Sequence, residues 1–180
     1  MNATFSSNTI TFFDTVKKYG ISKPNRFEVQ ITSAGEAGGY ADNNFVSLWC
    51  QSVDLPGRTI ESQTNDNIYG PTHEIAQGLI LNDSIAMTFL LDEKLNIKRY
   101  FDNWQKAIYN PETYDMYYYD NYVRDMTIKQ LSKTDEVVFS CKVYEAFPKT
   151  VELIGLNADN RSEASRLNVS MAFRDWIEET

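Results

Sequence analysis

Between Val137 and Trp176 the chain repeats a period-2 pattern that few folds can satisfy. Val137, Phe139, Cys141 and Val143 alternate with Val138, Ser140 and Lys142, and Val151 and Leu153 flank Glu152. After a polar interruption from Gly155 to Ala164, Leu167, Val169, Met171 and Phe173 alternate with Asn168, Ser170, Ala172 and Arg174. A pleated strand sends successive side chains to opposite faces, so each run predicts a strand with one dry face. Proline cannot donate to a ladder, and the Phe147-Pro148 corner therefore predicts a break between two strands. The same alternation occurs earlier, at Phe27, Val29 and Ile31 after Pro24, and again at Ile85, Met87, Phe89 and Leu91. The stretch Phe45 to Val53, closed by Leu55-Pro56-Gly57, also reads as a strand.

The period then changes once. Ile97, Tyr100, Phe101, Trp104 and Ile108 fall at i, i+3, i+4, i+7 and i+11, one stripe of an amphipathic helix. Asp92 is placed to cap it, and Asn110-Pro111 ends it. Residues 1–8 read as a flexible tip, and Thr9 to Tyr19 as a short helix stopped by Gly20. Ser33 to Asn44 is a glycine-rich connection with no apolar pattern, longer than a hairpin needs. Residues 58–83 stay ambiguous: Arg58 to Ser62 and Thr72 to Gln77 fit strands, with a turn at Gly70-Pro71. Tyr114 to Tyr122 is dense in tyrosine and acid. It fits an interaction surface and equally a loop packed on the helix. Val123 to Leu131 and Glu136 to Phe147 form a hairpin around Ser132 to Asp135.

At 180 residues and 42% hydrophobic content, the chain fits a single domain spanning 1–180 with a sizeable core. It has no apolar window long enough to span a bilayer, and Met1 to Phe5 lacks the pattern of a secretory signal. Cys50 and Cys141 sit in apolar strand patterns, as buried thiols of a reducing compartment do; a disulfide between them is left open. The net charge is −8, and it is unevenly spread. Phe27 to Glu93 holds ten acids and one basic residue, Arg58, for a net −9, leaving the remainder at +1. A phosphate-gripping surface needs the opposite sign.

Catalytic patterns are missing. His73 is the only histidine, so triad or zinc chemistry has nowhere else to run. Gly35, Gly38 and Gly39 are followed by neither a helix pattern nor a lysine, as a phosphate loop requires. Asn157 to Glu163 looks superficially like a calcium loop but lacks its glycine and its length. No catalytic residue, metal, cofactor or small-molecule ligand is expected.

The order of these stretches resembles a known family. Tyr144, Ala146, Phe147, Pro148, Val151 and Leu153, a polar loop, then Leu167, Val169, Met171, Phe173 and Trp176 follow the pattern of tail tube proteins of contractile-tailed phages. Lys23 to Ile31 and Phe45 to Gly57 strengthen the likeness, which covers roughly residues 15 to 176. It implies a mainly β (α+β) fold, a small barrel or two packed antiparallel sheets with a flanking helix. It also implies a structural subunit of the virion, assembled in the host cytoplasm. Six copies form a ring, and rings stack into a hollow conduit inside a contractile sheath. The partners implied are further copies of the chain, the tail sheath, baseplate and tail-terminator proteins, with the tape-measure protein and genomic DNA transiently in the lumen.

Edge-to-edge strand pairing between subunits makes Val29 and Val169 the candidates for inter-subunit strands. The glycine-rich connection supplies the ring-stacking candidates Gly35, Glu36, Gly38, Gly39, Tyr40 and Asp42. Charge makes Glu28, opposite the apolar face of its strand, the first lumen-facing candidate, followed by Glu61 and Asp66. A tube subunit of another contractile injection or secretion system shares all of these features. A soluble acidic β-barrel binding module is the alternative from a different class, and imaging separates it because such a module stays small.

Overall fold

A computed structural model describes residues 7–32, 43–65, 69–81, 84–156 and 164–179. The first helix, α1 (Ser7–Tyr19), is followed by β1 (Phe27–Ile31), α2 (Asn43–Leu48), β2 (Cys50–Val53) and a hairpin of β3 (Arg58–Asn65) and β4 (His73–Leu81). Next come β5 (Ile85–Leu90), α3 (Asn96–Ile108), the single turn α4 (Tyr119–Tyr122), β6 (Arg124–Leu131), β7 (Val137–Val151), β8 (Arg166–Ala172) and β9 (Asp175–Glu179). Ser7 and Asn8 already belong to α1, so the expected tip is shorter than residues 1–8. Its remainder, the connection carrying Gly35 to Asp42, Asp66 and the Asn157 to Glu163 loop lie outside the described residues.

All the described pairings are antiparallel, in the order β1-β6-β7-β8-β5-β2, with β9 on the remaining side of β7. Strand β7 is the hinge of the architecture. Up to Ala146 it pairs with β6 and β9; from Phe147 onward it pairs with β8. Two sheets therefore share one strand, and the expected break at Phe147-Pro148 is not there. The corner is made earlier, at Glu145, which has φ 54°. Three steps from Val143 to Ala146 oppose two from Met126 to Arg124, the signature of a bulge. The extra residue inverts the strand's phase: Cys141 and Val143 point inward before it, Ala146 and Pro148 after it. Arg174 holds the Glu145 carboxylate at 2.7 Å, and the Glu145 amide donates to the Asp125 carboxylate at 3.3 Å. Together these anchor an otherwise unfavourable left-handed backbone.

The segment Phe45 to Val53 is the second correction, since its first half is helical. Phe45, Val46 and Trp49 lie at i, i+1 and i+4, which suits one helical turn as well as a strand. In α2 this spacing buries Val46 completely, and Trp49, just past the helix end, brings its ring to 5.8 Å from that of Phe45.

Helix α3 follows its stripe. Ile97, Tyr100, Phe101 and Trp104 are all at most 1% exposed, and Phe101 packs at 5.0 Å on Phe89 of β5. Asp92 performs the cap from outside the helix, accepting from the Asn96 amide at 2.7 Å and its side-chain amide at 2.8 Å. The core then closes around Val29 and Ile31 of β1, Met126 and Ile128 of β6, and Leu167, Val169 and Met171 of β8.

The two cysteines are free rather than bridged. Burial pushes the Cys50 thiol up to about 12 and Cys141 up to about 11, and burial likewise raises the Tyr100 phenol to about 12. Each ionises in the unfolded chain first. Their stabilising contribution is therefore complete below about pH 9 and is lost between about 9 and 12, by up to about 1.4 kcal/mol per pH unit per group. The urea midpoint should fall steeply from about pH 9 to 11, and Cys141→Ala should flatten that fall. A midpoint constant over this range would contradict the assignment.

Candidate assembly interface

Strand β1 is the outermost strand of its sheet, and its backbone shows which groups face outward. The Arg26 carbonyl accepts from the Leu131 amide at 3.0 Å, and the Thr32 amide donates to the Asp125 carbonyl at 2.9 Å. Alternation along an antiparallel ladder then aims the main-chain groups of Phe27, Val29 and Ile31 away from β6. The Val29 side chain, 1% exposed, belongs to the core, while its backbone belongs to the edge. Ser47 of α2 donates its hydroxyl to the Val29 carbonyl, so α2 sits against part of this edge. Val169 is different. It pairs with Met87 on one side and Val151 on the other, leaving its strand no free edge there. Of the two inter-subunit candidates, Val29 lies on an edge strand and Val169 does not. Further outer edges among the described residues are β2, β9, the part of β7 beyond Ala146, and both strands of the β3-β4 hairpin.

Glu28 lies on the solvent side of the β1-β6 pair, directly across from Lys129. Its carboxylate accepts from Gln30 at 2.8 Å, and Gln30 in turn accepts from Lys129 at 3.1 Å. Further along the same face, Lys142 pairs with Asp125 at 3.5 Å. Glu61 is elsewhere, exposed on β3 opposite Gly78. The structure thus does not bring Glu28 and Glu61 together.

The strands fitted to Arg58 to Ser62 and Thr72 to Gln77 form the β3-β4 hairpin; what sequence reading missed is that it stands apart from the rest of the domain. It forms a separate two-stranded sheet, and its residues contribute nothing to the core. Ile60 and Leu79 face each other across the ladder at 58% and 55% exposure, with Ile75 further along the same strand at 47%. A two-stranded hairpin alone in water is marginal at best. Its own subunit leaves this apolar face about half exposed. One signal for it stood in the sequence. Leu79, Ile80 and Leu81 carry the apolar run past Gln77, which marks a second strand longer than Thr72 to Gln77.

The tyrosine-rich segment divides between its two readings. Tyr122 is buried, and its carbonyl accepts from the Trp104 indole at 2.8 Å. Tyr114 and Tyr118 stand out in solvent, alongside the exposed acids Glu112, Asp115 and Asp120. Among the described residues no group of three or more potential metal ligands occurs, and His73 lies exposed on β4.

Residues 22–179 match the sequence model of a family described as phage tail tube protein. No curated protein matches the chain. The fold is similar to that of a chain in the sheath-tube complex of the PVC extracellular contractile injection system, at TM-score 0.62 and 12% identity, covering 98% of this chain and 99% of that one. A chain in the sheath/tube terminator structure of the same system gives 0.62 at 14% identity, over 90% and 98%. One in the anti-feeding prophage baseplate gives 0.61 at 13%, over 88% and 97%. At these identities the likeness is one of fold.

Proposed function

Because the chain belongs to the phage tail tube protein family, we propose that six copies close into a ring through their sheet edges and that the β3-β4 hairpin reaches onto a neighbouring copy. As a tube subunit, the chain works mechanically, its rings stacking into a rigid hollow conduit. The observation that carries the reading is the hairpin, an apolar arm that its own subunit leaves uncovered. Edge pairing supplies the second contact, because backbone groups at an open edge are satisfied best by another strand. Chains of similar fold occur in structures of a sheath-tube complex, a terminator and a baseplate, and we assign corresponding partners to this chain. The tape-measure protein and genomic DNA are assigned as transient occupants of the channel. The connection carrying Gly35, Glu36, Gly38, Gly39, Tyr40 and Asp42 is assigned to ring stacking on its length alone.

The edge contact is tested by two proline variants. Val29→Pro removes a donor that faces away from β6, so it should leave a folded chain that forms no rings. Val169→Pro removes a ladder position between two strands and should unfold the domain. Circular dichroism with negative-stain imaging separates the two, and normal tubes from folded Val29→Pro would contradict edge pairing.

We assign the solvent face bearing Glu28 to the channel. Passing DNA binds wherever cations stand free, with strong salt dependence. On this face Lys129 lies across from Glu28, and Lys142 is paired with Asp125, so both lysines have an acid beside them. Asp66 and Glu61 are the secondary lumen candidates. Glu28→Lys should keep tubes intact yet slow genome ejection, most at low salt, where screening over about 8 Å at physiological strength is relaxed. Ejection with unchanged rate and salt dependence would place this face away from the channel.

A further inference from the structure

The lone cation of the Phe27 to Glu93 segment has a position that its acidic surroundings do not account for. Arg58 opens β3, directly after Gly57 and close to the buried Pro56, at the base of the hairpin. It turns away from the hairpin's own acids, Glu61 and Glu74, and reaches β9 instead. Its Nη2 donates to the Trp176 carbonyl at 2.6 Å, and its guanidinium carbon lies 4.4 Å from the Trp176 ring centroid. Asp175 adds an ion pair at 3.7 Å. A planar guanidinium can stack on an aromatic face while its edge donates, and an ammonium cannot do both.

We infer that Arg58 is a positioning residue for assembly, a latch that sets the direction in which the β3-β4 hairpin leaves the domain. Among the described residues, the side-chain hydrogen bonds and ion pairs from this hairpin to the body all run through Arg58; those of Ser62, Gln63, Glu74 and Gln77 stay within the hairpin. Arg58 pairs with Leu81 and Ile60 with Leu79, so the latch and the apolar contacts lie on one face of the ladder. Docking Arg58 on Trp176 therefore decides which way Ile60 and Leu79 are presented. A neighbouring copy then meets an arm already aimed, and less ordering remains to be done on association. The latch rests on the reading of the hairpin as an assembly arm.

Residual dipolar couplings, measured on the full-length chain diluted to monomer, report the hairpin's orientation against the body. In the unmodified chain both should fit one alignment tensor. Arg58→Ala should need a second tensor for the hairpin, with the body's couplings unchanged and the concentration needed for tube growth raised at least about tenfold. Arg58→Lys, which keeps the charge near Asp175 but loses the stacked fork, should fall between. Trp176→Leu, which keeps the carbonyl but removes the ring, should loosen the hairpin as well. A single tensor in Arg58→Ala overturns the latch. A loosened hairpin with unchanged tube growth overturns its role in assembly. The chain lacking the hairpin tests the arm reading separately, since tubes from that chain would remove the arm whatever Arg58 does.

Discussion

Replacing the hairpin between Arg58 and Leu81 by a short glycine-containing turn is expected to leave a folded, dispersed chain that forms no tubes at any concentration it can reach in solution. The two halves of this result have separate causes. Folding survives because no residue of β3 or β4 lies in the core, and the strands on either side, β2 and β5, pair with each other directly. Assembly fails because the exposed Ile60, Ile75 and Leu79 are lost with the arm. Fully burying such a side chain is worth about 1.5–3 kcal/mol, and with these about half exposed, roughly half of that at each of the three still outweighs any single exposed ion pair. A milder variant, Ile60→Asp with Leu79→Asp, keeps the arm and inverts its character, and it should give the same phenotype. Thermal melts and sedimentation of both variants check the result. Loss of folding would show that the hairpin supports its own subunit instead.

The largest effect on the subunit itself belongs to Trp104. The ring is 1% exposed, meets Tyr100 edge-on at 5.9 Å and donates its indole hydrogen to the Tyr122 carbonyl. Trp104→Ala removes apolar volume and also leaves that carbonyl without its donor. Large aromatic truncations in cores cost about 3–5 kcal/mol, out of roughly 5–15 kcal/mol for a whole domain. The melting temperature should drop by roughly 10 °C or more. Trp104→Phe should recover the packing but not the hydrogen bond, and so fall in between. A loss under about 1 kcal/mol for the alanine variant would mean that α3 is not the lid on this core.

How much of this was legible in the chain depends on what each pattern encodes. The stripe from Ile97 to Ile108 names its buried face residue by residue, because a helix satisfies its own backbone and only the face is left to decide. Alternation in β5, β6 and β8 is read as easily, but it does not reveal a strand's place in the sheet. For that reason Val29 and Val169 look alike in sequence, whereas one lies on an edge strand and the other between two neighbours. The left-handed Glu145 has no compositional mark, since glycine or asparagine usually signals that conformation; only the phase change from Val143 to Ala146 hints at it. Phe45 to Trp49 is too short for periodicity to choose between helix and strand. The exposed position of the hairpin was hidden for another reason. A dry face is normally read as part of the chain's own core, and the apolar side chains of β3 and β4 lie outside it. Arg58 carried the clearest unused signal, one basic residue among ten acids.

In the proposed assembly the hairpin and the β1 edge are both covered, and a cryo-EM map of tubes grown from the full-length chain measures this directly. It should show six-fold rings, stacked, with density from a neighbouring copy over Ile60 and Leu79 and a strand or loop of another copy along Phe27, Val29 and Ile31. Tubes in which the hairpin projects freely into solvent, or a chain that stays monomeric at high concentration, would contradict it.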